Sequence, residues 1–417
     1  MATSLLMNVY LVGGAVRDAL LNLPVKERDW LVVGSTVEEM TDAGYRPVGR
    51  DFPVFIHPDT GEEYALARTE RKTGLGHQAF AFHANPDVSL EADLARRDFT
   101  INAIARSHEG ELIDPYGGQR DLDARLLRHV SEAFVEDPLR VLRAARFMCQ
   151  LKPFGFSIAP ETLALMKQVV ASGELEHLSP ERVWRETLKS LSQNHPRIYI
   201  ETLRQCGALA ALLPEVDRLF GVPQRADYHP EVDTGLHTLM SLDRAVELSD
   251  KPEVRYAVLV HDLGKGITPA EILPRHIGHE GKGVPLVEDV SQRLRVPTRF
   301  LKLARVVTRF HLQCHKITTL KPSTILKLLK GLNIFRNPNQ LDDFLLACEA
   351  DARGRTGYEN SPYPSAAWLK TLAARLTNLD TRALIDSGLE GRKLGDAIEQ
   401  RRLEIITQYK AETRGPN

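Results

Sequence analysis

Short apolar runs separated by glycine or charged residues dominate about the first 115 positions of the chain. Residues 8–12, 29–33 and 63–70 are rich in β-branched and aromatic side chains, which predicts strands. Residues 103–113 carry two such runs around Glu109-Gly110, which predicts a hairpin. Apolar residues at 14–22, 36–43 and 90–97 follow the 3.6-residue period of a helix. The pattern therefore predicts an initial α/β unit with a small sheet.

From about Asp121 onward the helical period replaces the strand pattern. Several helical stretches begin with Ser-Pro, Ala-Pro or Asp-Pro, where proline suits the first helical turn. Two segments rich in proline, glycine and polar residues, 221–232 and 353–365, are predicted as linkers. The chain is therefore expected to be an α+β protein, with a mixed head followed by a long all-helical body.

Composition narrows this picture only slightly. A chain of 417 residues is too long for one compact core, and its net charge of -1 favours neither binding nor avoidance of nucleic acid. The four cysteines are far apart in sequence, which favours a reducing compartment. Neither a signal peptide nor an apolar run of about 18 residues is visible, so we expect a cytoplasmic protein without a membrane span.

The stretch "LVGGAVRDALLNLPVKERDW", residues 11–30, carries the first candidate chemistry. Gly13-Gly14 after a strand lets a ligand approach the backbone, and the following helix start and Arg17 suit a phosphate. Glu27 and Asp29 are two residues apart, so in an extended chain both side chains point to the same side. Two adjacent carboxylates favour a bound Mg²⁺, so this pair is the predicted metal clamp.

Two arginine-containing stretches follow. In "LARRDFTINA", Arg97 at a helix end could neutralise phosphate charge. In "EDPLRVLRAARF", Asp137 can cap a helix, and it also lies on one face with Arg140. Asp137 as acceptor beside Arg140 as donor matches the hydrogen-bonding edges of cytosine and adenine. Uracil and guanine carry their donor and acceptor in the opposite order, so this pair would reject them. Arg143 and Arg146 continue the same face and are predicted to bind phosphates.

Histidines mark a second candidate site in the helical body. His237 lies on a predicted helix, and His261-Asp262 ends an apolar helix just before Gly264. Imidazole and carboxylate together suit a transition metal such as Ni²⁺, and these three residues are the predicted ligands. The remaining ligands stay open among five candidates: His276, His311, Asp342, Asp343 and Asp351.

The motifs "LVGGAVRD…ERD", "RRDFTINA", "DPYGGQRDL", "EDPLRVLRAARF" and "SPERVWRET" occur in the order seen in bacterial class II CCA-adding enzymes, which they resemble. That resemblance implies Mg²⁺-dependent addition of C, C and A to the 3′ end of tRNA from CTP and ATP, without a template. It also implies nucleotide contacts through Gly14, Arg17, Arg97, Asp137, Arg140, Arg143 and Arg146, with Glu27 and Asp29 as catalytic metal ligands. The family usually has aspartate at the first position of this pair, so the longer Glu27 is a departure.

The pattern H…HD…H with "DLGK" resembles an HD-domain phosphohydrolase, which implies phosphatase, 2′-nucleotidase and 2′,3′-cyclic phosphodiesterase activity. The resemblance divides the chain into a nucleotidyltransferase head (1–145), a helical neck (146–220), an HD domain (221–340) and a helical tail (341–417). The expected protein is a monomer or homodimer. A bacterial poly(A) polymerase and a catalytically silent RNA-binding protein remain alternatives.

A final expectation concerns the basic, glycine-rich residues 71–89, which lie between a predicted strand and Arg97. This segment is interpreted either as a mobile loop over the nucleotide site or as an ordinary surface loop.

Overall fold

The computed structural model describes residues 8–48, 54–72, 80–84, 86–386 and 388–413. Within these ranges the strands are β1 (Asn8–Val12), β2 (Asp29–Val33), β3 (Arg46–Val48), β4 (Val54–Ile56), β5 (Glu63–Leu66), β6 (Arg68–Lys72), β7 (Phe80–Ala84), β8 (Ala105–Arg106), β9 (Leu112–Ile113), β10 (Leu126–Leu127) and β11 (Ser157–Ile158). The α-helices are α1 (Gly14–Leu20), α2 (Val37–Asp42), α3 (Leu90–Ala95), α4 (Gly118–Asp123), α5 (Leu139–Leu151), α6 (Pro160–Ala171), α7 (Pro180–Leu191), α8 (Pro196–Cys206), α9 (Ala208–Leu212), α10 (Pro214–Asp217), α11 (Thr234–Leu248), α12 (Pro252–Val260), α13 (His279–Arg293), α14 (Thr298–His315), α15 (Pro322–Gly331), α16 (Gln340–Arg353), α17 (Pro364–Thr377), α18 (Arg382–Asp386) and α19 (Gly391–Thr413).

Seven strands form a mixed sheet in the order β3-β4-β5-β2-β1-β8-β9. The central strand β2 is antiparallel to β1 and parallel to β5. Successive side chains of β2 point to opposite faces, so Leu31 and Val32 belong to different apolar clusters. In this register Asp29 lies opposite Val12, the last residue of β1, which puts its carboxylate near the turn into α1.

The chain folds as two compact units. The first contains the residues up to Thr187 together with Ile198–Leu212, and it includes the mixed sheet and α5. The second contains Leu188–Arg197 and the residues from Leu213 onward, and its described elements are helices. The expected head-to-neck boundary at 145/146 falls inside α5. The division into four domains stays a prediction.

The expected α+β class, with a mixed sheet followed by a helical body, is confirmed. The strand predicted over 63–70 is instead two strands, β5 and β6, which Ala67 separates. The segment 71–89 contains β7, which pairs with β6 in a hairpin, and its residues 73–79 and 85 lie outside the described residues. None of the described helices is long and apolar enough to span a bilayer.

Candidate nucleotide-binding site and candidate metal centre

The chain turns from β1 into α1 at Gly13. This residue has a φ of 72°, a left-handed conformation that glycine adopts without strain. A Cβ atom on Gly13 would also lie 3.1 Å from Arg97 Nη1, closer than ordinary contact. Gly14 is the first residue of α1, and a Cβ atom there would lie 3.5 Å from Arg17 Nη2. The turn therefore brings two guanidinium groups against bare backbone.

A hydrogen-bonded chain of side chains connects α1 with α5. Arg17 is 4% exposed, and its Nη1 donates to Asn102 Oδ1 at 2.8 Å. Asn102 Nδ2 donates to Asp98 Oδ1 at 3.2 Å, and Arg143 Nε donates to Asp98 Oδ2 at 2.7 Å. Burial alone would raise the pKa of Asp98, but Arg143 and Asn102 together lower it below its ordinary value. The carboxylate therefore stays ionised and fixes both arginines.

Arg97 is held more loosely than Arg17. Its Nη2 lies 3.4 Å from Asp93 Oδ2 and its Nη1 lies 3.5 Å from the Asn102 carbonyl oxygen. Its Nε is buried and has no hydrogen-bond partner. A buried donor without an acceptor is costly. The Arg97 guanidinium can therefore still bind an anion beside Gly13, which would supply that acceptor.

Glu27 and Asp29 lie next to this group of arginines. Asp29 is the first residue of β2, and Glu27 precedes it in the connecting loop. Partial desolvation raises the pKa of Asp29, Arg97 opposes this shift, and the charge of Glu27 raises the pKa further. The two carboxylates are thus close enough to repel each other. Oxygen donors in this arrangement fit Mg²⁺, which would relieve that repulsion.

Three predicted arginines surround one aromatic ring. The guanidinium carbons of Arg17, Arg143 and Arg146 lie 5.2, 5.5 and 4.3 Å from the centroid of Phe147. Arg146 Nε also donates to Glu186 Oε2 at 2.5 Å. Three guanidinium groups thus gather around Phe147, and each also pairs with a carboxylate: Asp18, Asp98 and Glu186 in turn.

Asp137 and Arg140 are both already hydrogen-bonded. Asp137 Oδ1 accepts from the backbone N–H of Leu139, the first residue of α5, at 3.1 Å, although the cap position itself is Pro138; Asp137 Oδ2 accepts from Arg182 Nη2 at 3.1 Å. Arg140 is 7% exposed and donates to two main-chain carbonyl oxygens at 2.9 and 2.6 Å. Both side chains are therefore fixed in place.

Four imidazoles and two carboxylates converge in the helical unit, and we call this group the HD centre. Each of its members is at most 5% exposed. The members are His237 on α11, His261 and Asp262 directly after α12, His279 at the start of α13, His311 on α14 and Asp351 on α16.

The donor atoms of the HD centre lie within a few ångströms of one another. Asp351 Oδ1 is 3.0 Å from His237 Nε2 and 3.6 Å from His261 Nε2. Asp262 Oδ2 is 3.2 Å from His261 Nε2. Asp262 Oδ1 is 3.2 Å from His279 Nε2 and 3.7 Å from His311 Nε2. The carboxylate of Asp262 therefore faces imidazoles through both oxygens.

The backbone fixes the orientation of these imidazoles. Each Nδ1 lies 2.7 to 3.1 Å from a main-chain carbonyl oxygen, and the partners are Val258 for His261, His276 for His279, Val307 for His311 and Gly354 for His237. An Nδ1–H donated to a carbonyl leaves the Nε2 lone pair directed at the centre. His261 Nε2 and Asp262 Oδ1 are buried without a hydrogen-bond partner. These donors fit a divalent metal ion.

Electrostatics supports the same interpretation. Burial alone would lower the pKa of His261, but Asp262 and Asp351 raise it to about 10. Burial lowers the pKa of His311 to about 3. The buried ammonium of Lys265, 2.7 Å from Asp262 Oδ2, supplies one positive charge to the two buried carboxylates, and a bound metal ion would supply more.

Family models match three parts of the chain: the poly A polymerase head domain (residues 9–128), a probable RNA and SrmB-binding site of polymerase A (155–220) and the HD domain (234–330). The multifunctional CCA protein of Thioalkalivibrio sulfidiphilus is 56% identical over 409 residues, which cover 98% of this chain and 100% of that protein. The chain belongs to the multifunctional CCA protein family.

Solved structures show the same fold. A CCA-adding enzyme in complex with ATP aligns with a TM-score of 0.65 at 22% identity, covering 99% of this chain and 91% of that one. The Thermotoga maritima CCA-adding enzyme complexed with tRNA-CCA aligns with a TM-score of 0.61 at 22% identity, covering 97% and 91%. The chain therefore shares this fold along nearly its whole length.

Three of the five open ligand candidates lie outside the HD centre. Both ring nitrogens of His276 are bonded, to Thr268 Oγ1 and the Pro223 carbonyl oxygen. Asp342 pairs with Lys370, and Asp343 pairs with Lys251. Asp351 and His311 are the candidates that the fold brings to the centre.

Some members of the two sites were not identified from the sequence. His279 is not among the predicted ligands, and its contact with Asp262 joins residues of two different elements. Asp98 and Asn102 are not among the predicted site residues either, although a spacing of four residues is that of contacting side chains on a helix. They position Arg17 and Arg143.

Proposed function

We propose that this protein adds C, C and A to the 3′ end of tRNA, using CTP and ATP and releasing pyrophosphate. The observation that carries the proposal is the convergence of the Gly13-Gly14 turn with Arg17, Arg97 and the pair Glu27 and Asp29. The 56% identity to a protein named multifunctional CCA protein supports the same activity.

In the proposed reaction the terminal 3′-hydroxyl of the tRNA attacks the α-phosphate of the nucleotide, and pyrophosphate leaves. Glu27 and Asp29 would hold Mg²⁺, which lowers the pKa of the hydroxyl and stabilises the leaving oxygens. Arg17, Arg97, Arg143 and Arg146 bind the phosphates and neutralise charge that develops in the transition state. Asp137 and Arg140 select cytosine or adenine through an acceptor and a donor in fixed positions.

Sequencing of 3′ ends tests this function. A tRNA transcript lacking CCA is incubated with CTP, ATP and Mg²⁺, and the expected products end in CCA without further extension. Long A tails would show a poly(A) polymerase instead. Binding of the tRNA without incorporation would show an RNA-binding protein without this activity, and a Glu27→Asp variant would then reveal whether the longer carboxylate is the cause.

The HD centre favours a second activity. Its His261 Nε2 and Asp262 Oδ1 are buried without a hydrogen-bond partner, and a bound cation would satisfy both atoms. We propose a metal-dependent phosphohydrolase that acts as a phosphatase, 2′-nucleotidase and 2′,3′-cyclic phosphodiesterase. His237, His261, Asp262 and Asp351 would hold a transition metal such as Ni²⁺, which supplies Lewis acidity and an activated water. The residues of the chain orient this group and exclude competing water.

Hydrolysis of 2′,3′-cyclic AMP and 2′-AMP by metal-loaded protein tests the second activity. The expected result is turnover that requires added Ni²⁺ and is lost in His261→Ala. Turnover that persists in His261→Ala would place the reaction elsewhere.

A further inference from the structure

The segment predicted as a linker at 221–232 forms the layer behind the HD centre. Its Glu231 has a side chain that is only 3% exposed. Oε1 of Glu231 lies 3.2 Å from His237 Nδ1 and 3.0 Å from His229 Nδ1, and Oε2 accepts from the backbone N–H of Thr356 at 3.3 Å. A buried carboxylate thus lies directly behind one of the proposed metal ligands.

His237 differs from the other imidazoles of the centre in this respect. The Nδ1 atoms of His261, His279 and His311 lie within hydrogen-bonding distance of main-chain carbonyl oxygens, and the carboxylate nearest to His279 Nδ1, that of the partly exposed Glu280, is 3.7 Å away. The Nδ1 of His237 faces both the Gly354 carbonyl oxygen at 3.0 Å and the Glu231 carboxylate. A carboxylate acceptor behind a ligating histidine increases the basicity of its other nitrogen and fixes the ring orientation.

The same segment reaches the centre at a second point. Gln224 Nε2 donates to Glu231 Oε1 at 3.3 Å, and Gln224 Oε1 accepts from Lys265 Nζ at 2.9 Å. Lys265 Nζ in turn lies 2.7 Å from Asp262 Oδ2. The segment is therefore bonded behind His237 on one side and beside Asp262 on the other.

We propose that Glu231 is a positioning residue of the metal centre, which holds His237 with Nε2 directed at the ion and strengthens it as a ligand. This inference rests on the proposed HD phosphohydrolase centre. The Glu231 carboxylate would act on the metal through its 3.2 Å contact with His237 Nδ1.

The competing explanation is that Glu231 only fastens the segment, through Thr356 and His229. Glu231→Gln separates the two roles, because the amide keeps the size and an acceptor oxygen but loses the negative charge. Asp227→Asn is the matched control, since Asp227 is 54% exposed in the same segment and pairs with Arg225. The Asp227→Asn substitution removes an equal charge from a side chain that pairs with Arg225 and not with the HD centre.

The test is the equilibrium affinity of metal-free full-length protein for Ni²⁺ alone, measured by chelator competition, with unfolding midpoints recorded for every variant. We expect Glu231→Gln to bind Ni²⁺ about 10- to 100-fold more weakly, and Asp227→Asn to match the wild type. Wild-type affinity in folded Glu231→Gln would overturn the inference.

Two further variants keep the outcomes distinct. If Glu231→Gln does not fold, Glu231→Asp retains the charge and is expected to bind within a few-fold of the wild type; a loss of 10-fold or more in folded Glu231→Asp would overturn the inference. His261→Ala reports on the proposed centre itself. Wild-type protein whose Ni²⁺ affinity is unchanged by His261→Ala would refute the HD centre rather than the role of Glu231.

Discussion

At the scale of single residues, Arg140, the proposed base-reading side chain, is held rigid by two hydrogen bonds. Its Nη1 donates to the Ala133 carbonyl oxygen and its Nη2 to the Arg96 carbonyl oxygen. These two bonds fix the plane of the guanidinium, which is the proposed donor toward the base. Lysine has a single nitrogen in place of the planar fork, so it cannot make both carbonyl bonds in the same geometry.

Arg140→Lys is therefore expected to reduce discrimination of CTP against UTP by about 10-fold, which corresponds to about 1.4 kcal/mol. The measurement is the ratio of kcat/KM values for the two nucleotides. Arg125→Lys is the control, because Arg125 stacks on Phe156 instead. An unchanged ratio in a folded Arg140→Lys protein would contradict the base-reading role.

The buried carboxylate of Asp98 gives a pH prediction. Because Arg143 and Asn102 hold its folded pKa below the ordinary value, its stabilising contribution is present above the unfolded pKa of about 3.9 and is lost as pH falls through the folded pKa. Asp98→Asn should lower the free energy of unfolding by about 1–3 kcal/mol at pH 7. Urea denaturation between pH 2 and 7 should show this difference shrinking at acidic pH. A difference that stays constant with pH would argue against an ionised Asp98.

At the scale of elements, the approach of α13 to the loop after Asp262 places His279 in the HD centre. A Cβ atom on Gly264 would lie 2.0 Å from the His279 carbonyl oxygen, so only glycine allows this approach. A Cβ atom on Gly266 would have its nearest neighbours at 3.4 Å, an ordinary contact. The two glycines belong to one 3₁₀ helix, Leu263–Ile267, and form a matched pair.

Gly264→Ala is expected to push α13 away, lower the free energy of unfolding by about 1–3 kcal/mol and weaken Ni²⁺ binding. Gly266→Ala should change neither property by a comparable amount. Chemical denaturation and chelator competition measure the two effects. Equal behaviour of the two variants would mean that close packing at Gly264 does not position His279.

Elements that depend on local pattern were predictable from the sequence. The predicted strands 8–12 and 29–33 match β1 and β2. The alternation of apolar and polar residues and the flanking turns that predict a strand both lie within a few residues of it. The strands β3 and β4 have only three residues each, and they form because they pair with other strands of the sheet. A local sequence pattern does not reveal such pairing.

The site residues also differ in whether local sequence patterns could predict them. The Gly13-Gly14 turn and the spacing of Glu27 and Asp29 are local features, and the predicted site at these residues stays a prediction. The contact of Arg143 with Asp98 spans 45 residues, and the contact of His237 with Asp351 spans 114. Only the folded chain selects Asp351 over Asp342 and Asp343, because α16 presents one of these acids to the centre and two to surface lysines.

At the scale of the whole molecule, the two proposed sites use residues of different compact units. Every residue named for nucleotide addition lies in the first unit, and every ligand of the HD centre lies in the second. No hydrogen bond of the HD centre described above involves a residue of the first unit. The two activities should therefore separate by mutation.

Asp29→Asn is expected to reduce CCA addition by on the order of 100-fold or more, because it removes a charged ligand of the proposed Mg²⁺. It should leave Ni²⁺-dependent hydrolysis of 2′,3′-cyclic AMP within about two-fold of the wild type. Asp262→Asn should do the reverse, since it takes a negative charge from the HD centre while Glu27 and Asp29 remain intact. Parallel assays of both activities on each folded variant decide the matter. A variant that loses both activities together while keeping its unfolding midpoint would show that the two sites are coupled, because neither substitution removes a group that the other site uses.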